Sequence, residues 1–156
     1  LNRFTTAYAR LARLPSPQRR PVAFSPLMRR VVELETRLPI TLSRGPDVTV
    51  SADPDQLEQL LINVLRNAVD AALETGDRVC ASWARVDSML EVNIDDEGPG
   101  LPSTGNLFVP FFTTKPAGSG IGLVLSRQIA EAHGGTLTLQ NREAGRGARA
   151  TVRIPL

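Results

Sequence analysis

Apolar residues recur at the helical period through Leu57, Leu60, Leu61, Val64, Leu65, Ala68, Val69 and Ala72, predicting one broad apolar face on a helix from Asp55 to Leu73. Gln56, Gln59, Asn63, Arg66, Asn67, Asp70 and Glu74 fall on the opposite face. A solvated helix face usually carries Lys and Glu, which favour helix, whereas Asn is a poor interior residue. Asn63 and Asn67 lie one turn apart, so their amides point into the same space. This polar stripe is either ordinary helix surface or one wall of a site.

The same patterning organises the rest of the chain. Leu1, Phe4, Tyr8 and Leu11 alternate at spacings of three and four, a short a/d seam ending at Pro15-Ser16-Pro17. Residues 1–14 read as the end of a longer helix, or else as a simple docking helix, and residues 15–24 as an extended linker. Ser25-Pro26 opens a helix through Leu27, Val31, Val32, Leu34 and Leu38, with Ser25 as N-cap. Asp53-Pro54 opens the central helix in the same manner. Strands are expected at Ile40–Ser43, Val48–Ser51, Arg78–Val86, Met89–Asp95, Thr136–Asn141 and Ala148–Ile154, with a hairpin turn at Asp87-Ser88. Residues 98–118 read as loop, and a helix from about Gly120 to Ala132 stops at His133-Gly134-Gly135. About three helices and up to six strands predict an α+β, two-layer sandwich with one sheet covered by helices.

Composition narrows the classes. A chain of 156 residues can bury a real core, and a net charge of +2 is too small to imply nucleic acid or a membrane surface. Cys80 stands alone, which excludes an internal disulfide and suits a reducing compartment. No apolar run approaches membrane-spanning length, and no signal-peptide pattern is present. The start at Leu1, within an apparent helix, leads us to expect a piece of something longer. One His and one Cys support neither a protein-only metal site nor a nucleophilic triad, and His133 reads as a helix cap.

Three further stretches carry candidate chemistry. In Asp95-Asp96-Glu97-Gly98-Pro99-Gly100, Asp96 is in phase with Leu90, Val92 and Ile94 and should point inward. A buried carboxylate needs a donor, either from a turn or from a ligand amino group, and Gly98 and Gly100 would let a flat ring approach the backbone. Gly118-Ser119-Gly120-Ile121-Gly122-Leu123 runs into a helix, as an anion-binding helix N-terminus or as a hinge; it has neither Walker nor dinucleotide spacing. Leu107-Phe108-Val109-Pro110-Phe111-Phe112-Thr113-Thr114-Lys115 collects three of the five phenylalanines, and Lys115 is spaced to meet a terminal phosphate as a point charge.

The order N-x-x-x-N-A, D-x-G-x-G, F-x-P-F-F-T-T-K, G-x-G-x-G-L, H-G-G resembles the catalytic ATP-binding domain of bacterial sensor histidine kinases, most closely the nitrogen-regulation type. Each motif is weak alone; four in order, with H-G-G closing the last, over about residues 53–135, are specific. The resemblance implies a Bergerat-type sandwich with a mostly antiparallel mixed sheet, ATP and Mg²⁺ as cofactors, and a mobile lid. It implies that Asn67 ligates Mg²⁺, with Asn63 lining the phosphate site. Asp96 would accept from the adenine amino group while Gly98 and Gly100 pass beside the base. Phe112, Thr114, Lys115, Gly118, Ser119, Gly120, Gly122 and Leu123 would complete the nucleotide site, Lys115 toward the γ-phosphate, with Phe108 and Phe111 anchoring the lid. Asn63, Asn67 and Lys115 would be the catalytic set.

Asn63 stands where related ATPase clamps place a Glu that activates water, and an amide is no general base, which favours phosphoryl transfer over hydrolysis. The implied partners are a dimerisation domain carrying the phosphoacceptor histidine, which residues 1–14 would end, and a response-regulator receiver domain. The domain proper would be residues 25–156 of a cytoplasmic-facing, homodimeric, possibly membrane-anchored parent, with no nucleic-acid partner. Two other readings stay open: a degenerate ATP-binding signalling module, and an anti-sigma-type serine kinase on the same fold. Ala148 and Asp70 depart from the family pattern, which often has a hydroxyl residue at the first and sometimes a base at the second.

Overall fold

The computed structural model describes residues 14–75, 78–101, 122–143 and 145–156. In chain order the elements are β1 (Arg20–Ala23), α1 (Phe24–Leu34), β2 (Ile40–Leu42), β3 (Thr49–Ala52), α2 (Pro54–Thr75), β4 (Val79–Val86), β5 (Met89–Asp96), α3 (Gly122–Ala132), β6 (Thr136–Asn141) and β7 (Ala148–Pro155). The five-stranded sheet has the order β2-β4-β5-β7-β6, antiparallel except for β2 against β4.

One face of this sheet is apolar because the strands alternate. Leu90, Val92 and Ile94 of β5 and Ala150, Val152 and Ile154 of β7 are buried, and they meet the apolar stripe of α2 together with Ile129 and Ala130 of α3. The other face is solvated and held by cross-strand pairs in register: Asp95 with Arg149 at 2.7 Å, Asn93 with Thr151 at 2.7 Å, and Glu91 with Arg153 at 2.8 Å. The expected α+β, two-layer sandwich is what forms. No helix among the described residues is long and apolar enough to cross a membrane.

Four local expectations change, the first being that α1 ends at Leu34, short of the expected Leu38, because Glu35 turns extended with its N–H on the Val32 carbonyl. Ser25 is not an N-cap: the pairing of β1 with β3 carries the chain to Ala23, Phe24 N–H donates to the Val48 carbonyl, and α1 starts at Phe24. The Ser25 hydroxyl donates instead to Asp47 Oδ1 at 3.1 Å. Gln56 is buried, not on the solvated face, because its amide donates to the Pro15 carbonyl at 2.8 Å and the incoming segment covers it. Residues 20–23 are extended, as read, but hydrogen-bonded along β3, so the strands among the described residues number seven, one more than the pattern revealed. By contrast Asp53 caps α2 as expected, its Oδ1 accepting from Asp55 N–H at 3.0 Å and Gln56 N–H at 3.1 Å.

Candidate functional site

The last inward position of β5 is Asp96, only 5% exposed. It is in phase with the core row, so the sheet carries its carboxyl under the helical layer. Asp96 Oδ1 accepts from Gly98 N–H at 2.9 Å and from Ala148 N–H at 3.3 Å. Among the described residues no side chain or backbone group donates to Oδ2. Burial pushes this carboxyl above the ordinary range, and the two backbone N–H bonds only partly oppose that. The result is a largely buried carboxylate with one oxygen open to a further donor.

The chain beside it is shaped for close approach. A methyl group on Gly98 would sit 2.5 Å from the Ala71 carbonyl oxygen, so the segment after β5 lies directly on α2, one turn beyond Asn67. Gly147, at φ +110°, passes so near the Asp96 carbonyl that a side chain there would collide with it. The outlet of β5 is fixed further by Arg146, whose guanidinium donates to the Thr75 carbonyl at 2.9 Å and the Glu97 carbonyl at 3.3 Å. Asn141 Oδ1 accepts from Leu101 N–H at 2.8 Å, just past Gly100.

On α2, Asn63 and Asn67 are half-buried, and Asn63 Oδ1 accepts from Gln59 Nε2 at 2.8 Å. Asp70 accepts from Arg37 at 2.6 Å, and Arg37 also pairs with Glu35 at 2.9 Å. The acidic departure noted at Asp70 therefore comes with a guanidinium on it. At Ala148, the other departure, the backbone N–H donates to Asp96 Oδ1 and the methyl side chain adds no hydroxyl donor. Helix α3 opens at Gly122, with Leu123 in its first turn, and packs along α2. So Asn63, Asn67, Asp96, Gly98, Gly100, Gly122 and Leu123 all belong to α2, to the outlet of β5 or to the opening of α3. Phe108, Phe111, Phe112, Thr114, Lys115, Gly118, Ser119 and Gly120 lie outside the described residues.

The donor set suits a purine amino group at Asp96. It suits a metal only as an accessory: among the described residues no cluster of three or more His, Cys, Asp or Glu could hold one. An amide oxygen such as that of Asn67 fits Mg²⁺, which keeps waters and takes most of its ligands from phosphates. Arg146, Asn141 and Arg37 belong to no motif or period that marks them in the sequence, because each acts through a partner distant along the chain.

Residues 52–156 match the model of the histidine kinase-, DNA gyrase B- and HSP90-like ATPases. The chain belongs to that family. It is 39% identical over 117 residues to the sensor protein FixL of Bradyrhizobium diazoefficiens, covering 72% of this chain and 23% of FixL. The histidine-protein kinase AtoS of Escherichia coli is 38% identical over 109 residues, 69% of this chain and 18% of AtoS. The chain thus spans about a quarter or less of the curated relatives it matches. Among solved structures, full-length ShkA in complex with AMPPNP superposes with a TM-score of 0.84 at 26% identity, over 98% of this chain and 35% of ShkA. The mycobacterial sensor histidine kinase MprB gives 0.77 at 27% identity, over 88% of this chain and 97% of that one. The relatives are sensor histidine kinases, and the ATPase-family fold is the one found here.

Proposed function

We propose that this chain is the ATP-binding catalytic domain of a two-component sensor histidine kinase, which binds Mg²⁺-ATP and delivers the γ-phosphoryl group to a histidine on a dimerisation domain. The observation that carries this reading is Asp96: a buried carboxylate whose Oδ1 is taken by its own backbone and whose Oδ2 has no donor among the described residues. The adenine amino group is that donor, with Gly98 and Gly100 beside the base. Asn63, Asn67 and Lys115 hold the phosphate end, and Phe112, Thr114, Gly118, Ser119, Gly120, Gly122 and Leu123 enclose it. Mg²⁺, with Asn67 as its protein ligand, would neutralise phosphate charge. The chain's own contribution is positioning and charge, since phosphoryl transfer asks little covalent chemistry of the protein.

Asn63 favours a protein nucleophile over water, because no general base stands in its place on α2. His133 is not the acceptor: it is 1% exposed and both ring nitrogens are engaged. The acceptor histidine therefore comes from the dimerisation domain, with residues 1–14 as the end of its second helix and residues 15–24 as the link to the catalytic domain from residue 25. A response-regulator receiver domain takes the phosphoryl group onward from a homodimeric, cytoplasmic-facing parent. Calorimetric titration with Mg²⁺ and a non-hydrolysable ATP analogue tests the site, with Asn67→Ala and Asp96→Ala expected to weaken saturable binding. A separately supplied dimerisation domain should then acquire acid-labile phosphate. Acid-stable phosphoserine, or binding without transfer, would refute the histidine-kinase step.

A further inference from the structure

The single histidine of the chain has no role in that reading, yet its surroundings define its chemistry. His133 Nδ1 lies 2.8 Å from the Ile129 carbonyl oxygen, which can only accept, so Nδ1 bears the hydrogen. Nε2 lies 3.0 Å from the Asp53 backbone nitrogen, whose N–H donates to it, so Nε2 is bare. A doubly protonated ring would set Nε2–H against that N–H. The partners thus select one state, the neutral Nδ1–H tautomer.

Those partners are the two ends of the site-bearing helices. Asp53 is the N-cap of α2, and Ile129 lies in the last turn of α3. The two helices pack together, and α3 ends where α2 begins, so they run in opposite directions from one junction. Asn63 stands ten positions along α2 from Asp53, and Gly122 eleven positions back along α3 from His133. At a rise of ~1.5 Å per residue both are about 15 Å from the junction, so the asparagine and the opening of α3 lie level. The segment preceding β1 closes over the same place. Gln18 N–H donates to Asp53 Oδ2 at 2.9 Å, Arg19 to the Ala132 carbonyl at 3.1 Å, and Gln56 Nε2 to the Pro15 carbonyl at 2.8 Å.

We propose that His133 is a positioning residue for the nucleotide site: its neutral ring locks the axial register of α2 against α3, and so the distance between Asn63 and the opening of α3. This rests on the nucleotide reading of those two positions. His133→Gln puts an amide oxygen at the reach of Nε2 and keeps the bond from Asp53, whereas His133→Asn reaches only as far as Nδ1 and leaves that N–H buried without an acceptor.

Three measurements test it. Long-range ¹H–¹⁵N spectra of the nucleotide-free protein, where one histidine needs no assignment, should show Nδ1 protonated and Nε2 bare at neutral pH. Affinity for ADP should fall about tenfold in His133→Asn but stay within about threefold in His133→Gln, the difference one unsatisfied N–H makes. Amide exchange without nucleotide should quicken in His133→Asn at the first turns of both α2 and α3, and not in His133→Gln. An Nε2–H or charged ring, equal losses in the two variants, or exchange quickened only in the last turn of α3 would overturn the proposal. Absence of ADP binding by the unaltered protein would instead refute the nucleotide reading, leaving the tautomer and exchange results to decide on His133.

Discussion

Two buried aspartates, Asp53 and Asp96, are 9% and 5% exposed and have opposite fates. Burial pushes Asp53 up, but N–H bonds from Gln18, Gln56 and Asp55 outweigh it and hold the carboxyl below the ordinary range. Burial pushes Asp96 up as well, and there the bonds from Gly98 and Ala148, both on one oxygen, do not outweigh it. Asp53 has its donors supplied by its own chain and acts as architecture. Asp96 is held at a disadvantage that an incoming donor would relieve, as the proposed nucleotide site requires.

The largest expected effect is at Asp96. In Asp96→Asn the two backbone N–H groups would orient the amide with its oxygen inward, leaving NH₂ where the open carboxylate oxygen was. A donor would then face the adenine amino group, and affinity for ATP analogues should fall roughly 100-fold, as expected for lost hydrogen bonding to a charged group plus a donor–donor clash. Inosine nucleotides, whose 6-keto oxygen accepts, should lose much less. Unfolding by urea should show stability unchanged or raised, since a desolvated charge is gone. Equal losses for adenine and inosine nucleotides would break the contrast between the two aspartates.

At Asp53 the stability should move first. Asp53→Ala removes the N-cap of α2 and the acceptor of Gln18, so a loss of about 1–2 kcal/mol is expected from urea unfolding. Its effect on nucleotide affinity should be smaller than that of Asp96→Asn.

The pH dependence separates the pair by sign. An unfolded Asp titrates near 3.9. Asp53, depressed in the fold, contributes stability above that value, which is lost as pH falls through its folded pKa. Asp96, raised in the fold, retains its proton longer than the unfolded chain does, so stability falls as pH rises from the unfolded value through its raised one. A ligand amino group favours the carboxylate, so nucleotide affinity should climb with pH across that same window and protons should be released. Titrations in buffers of different ionisation enthalpy would detect the release, and Asp96→Asn should abolish it.

Much of this contrast was legible from residue order. The strand phase that turns Asp96 inward, the Asp53-Pro54 helix start and the α2 stripe are local patterns with short periods. What the pattern could not reveal depends on distant parts of the chain. Gln56 reads as polar surface until Pro15 covers it, and Ser25 reads as a cap until β1 pairs with β3. Likewise His133 reads as a cap for its own helix, which its Nδ1 is, while its bond to Asp53 spans 80 residues. Arg37 on Asp70 is a pairing of the same long-range kind, without periodicity to announce it.

The smallest expected effect asks whether Asp96 can be made more like Asp53. Ala148 is buried across the strand pair from Asp96, and its Cβ shares the inward face. Ala148→Ser adds a hydroxyl within reach of the carboxyl, about 5 Å between Cβ atoms for such neighbours. If the hydroxyl donates to Oδ1, a third donor lowers the Asp96 pKa, visible in a carboxyl-carbon NMR titration. Nucleotide affinity at neutral pH should then change by no more than about threefold, because Oδ2 stays open, and affinity at acid pH should improve. If the hydroxyl takes Oδ2 instead, the pKa falls but affinity drops with it, since the protein now supplies the donor that the ligand was to bring. Either result identifies the open oxygen as the functional one; an unmoved pKa would mean that backbone donors already determine the state of Asp96.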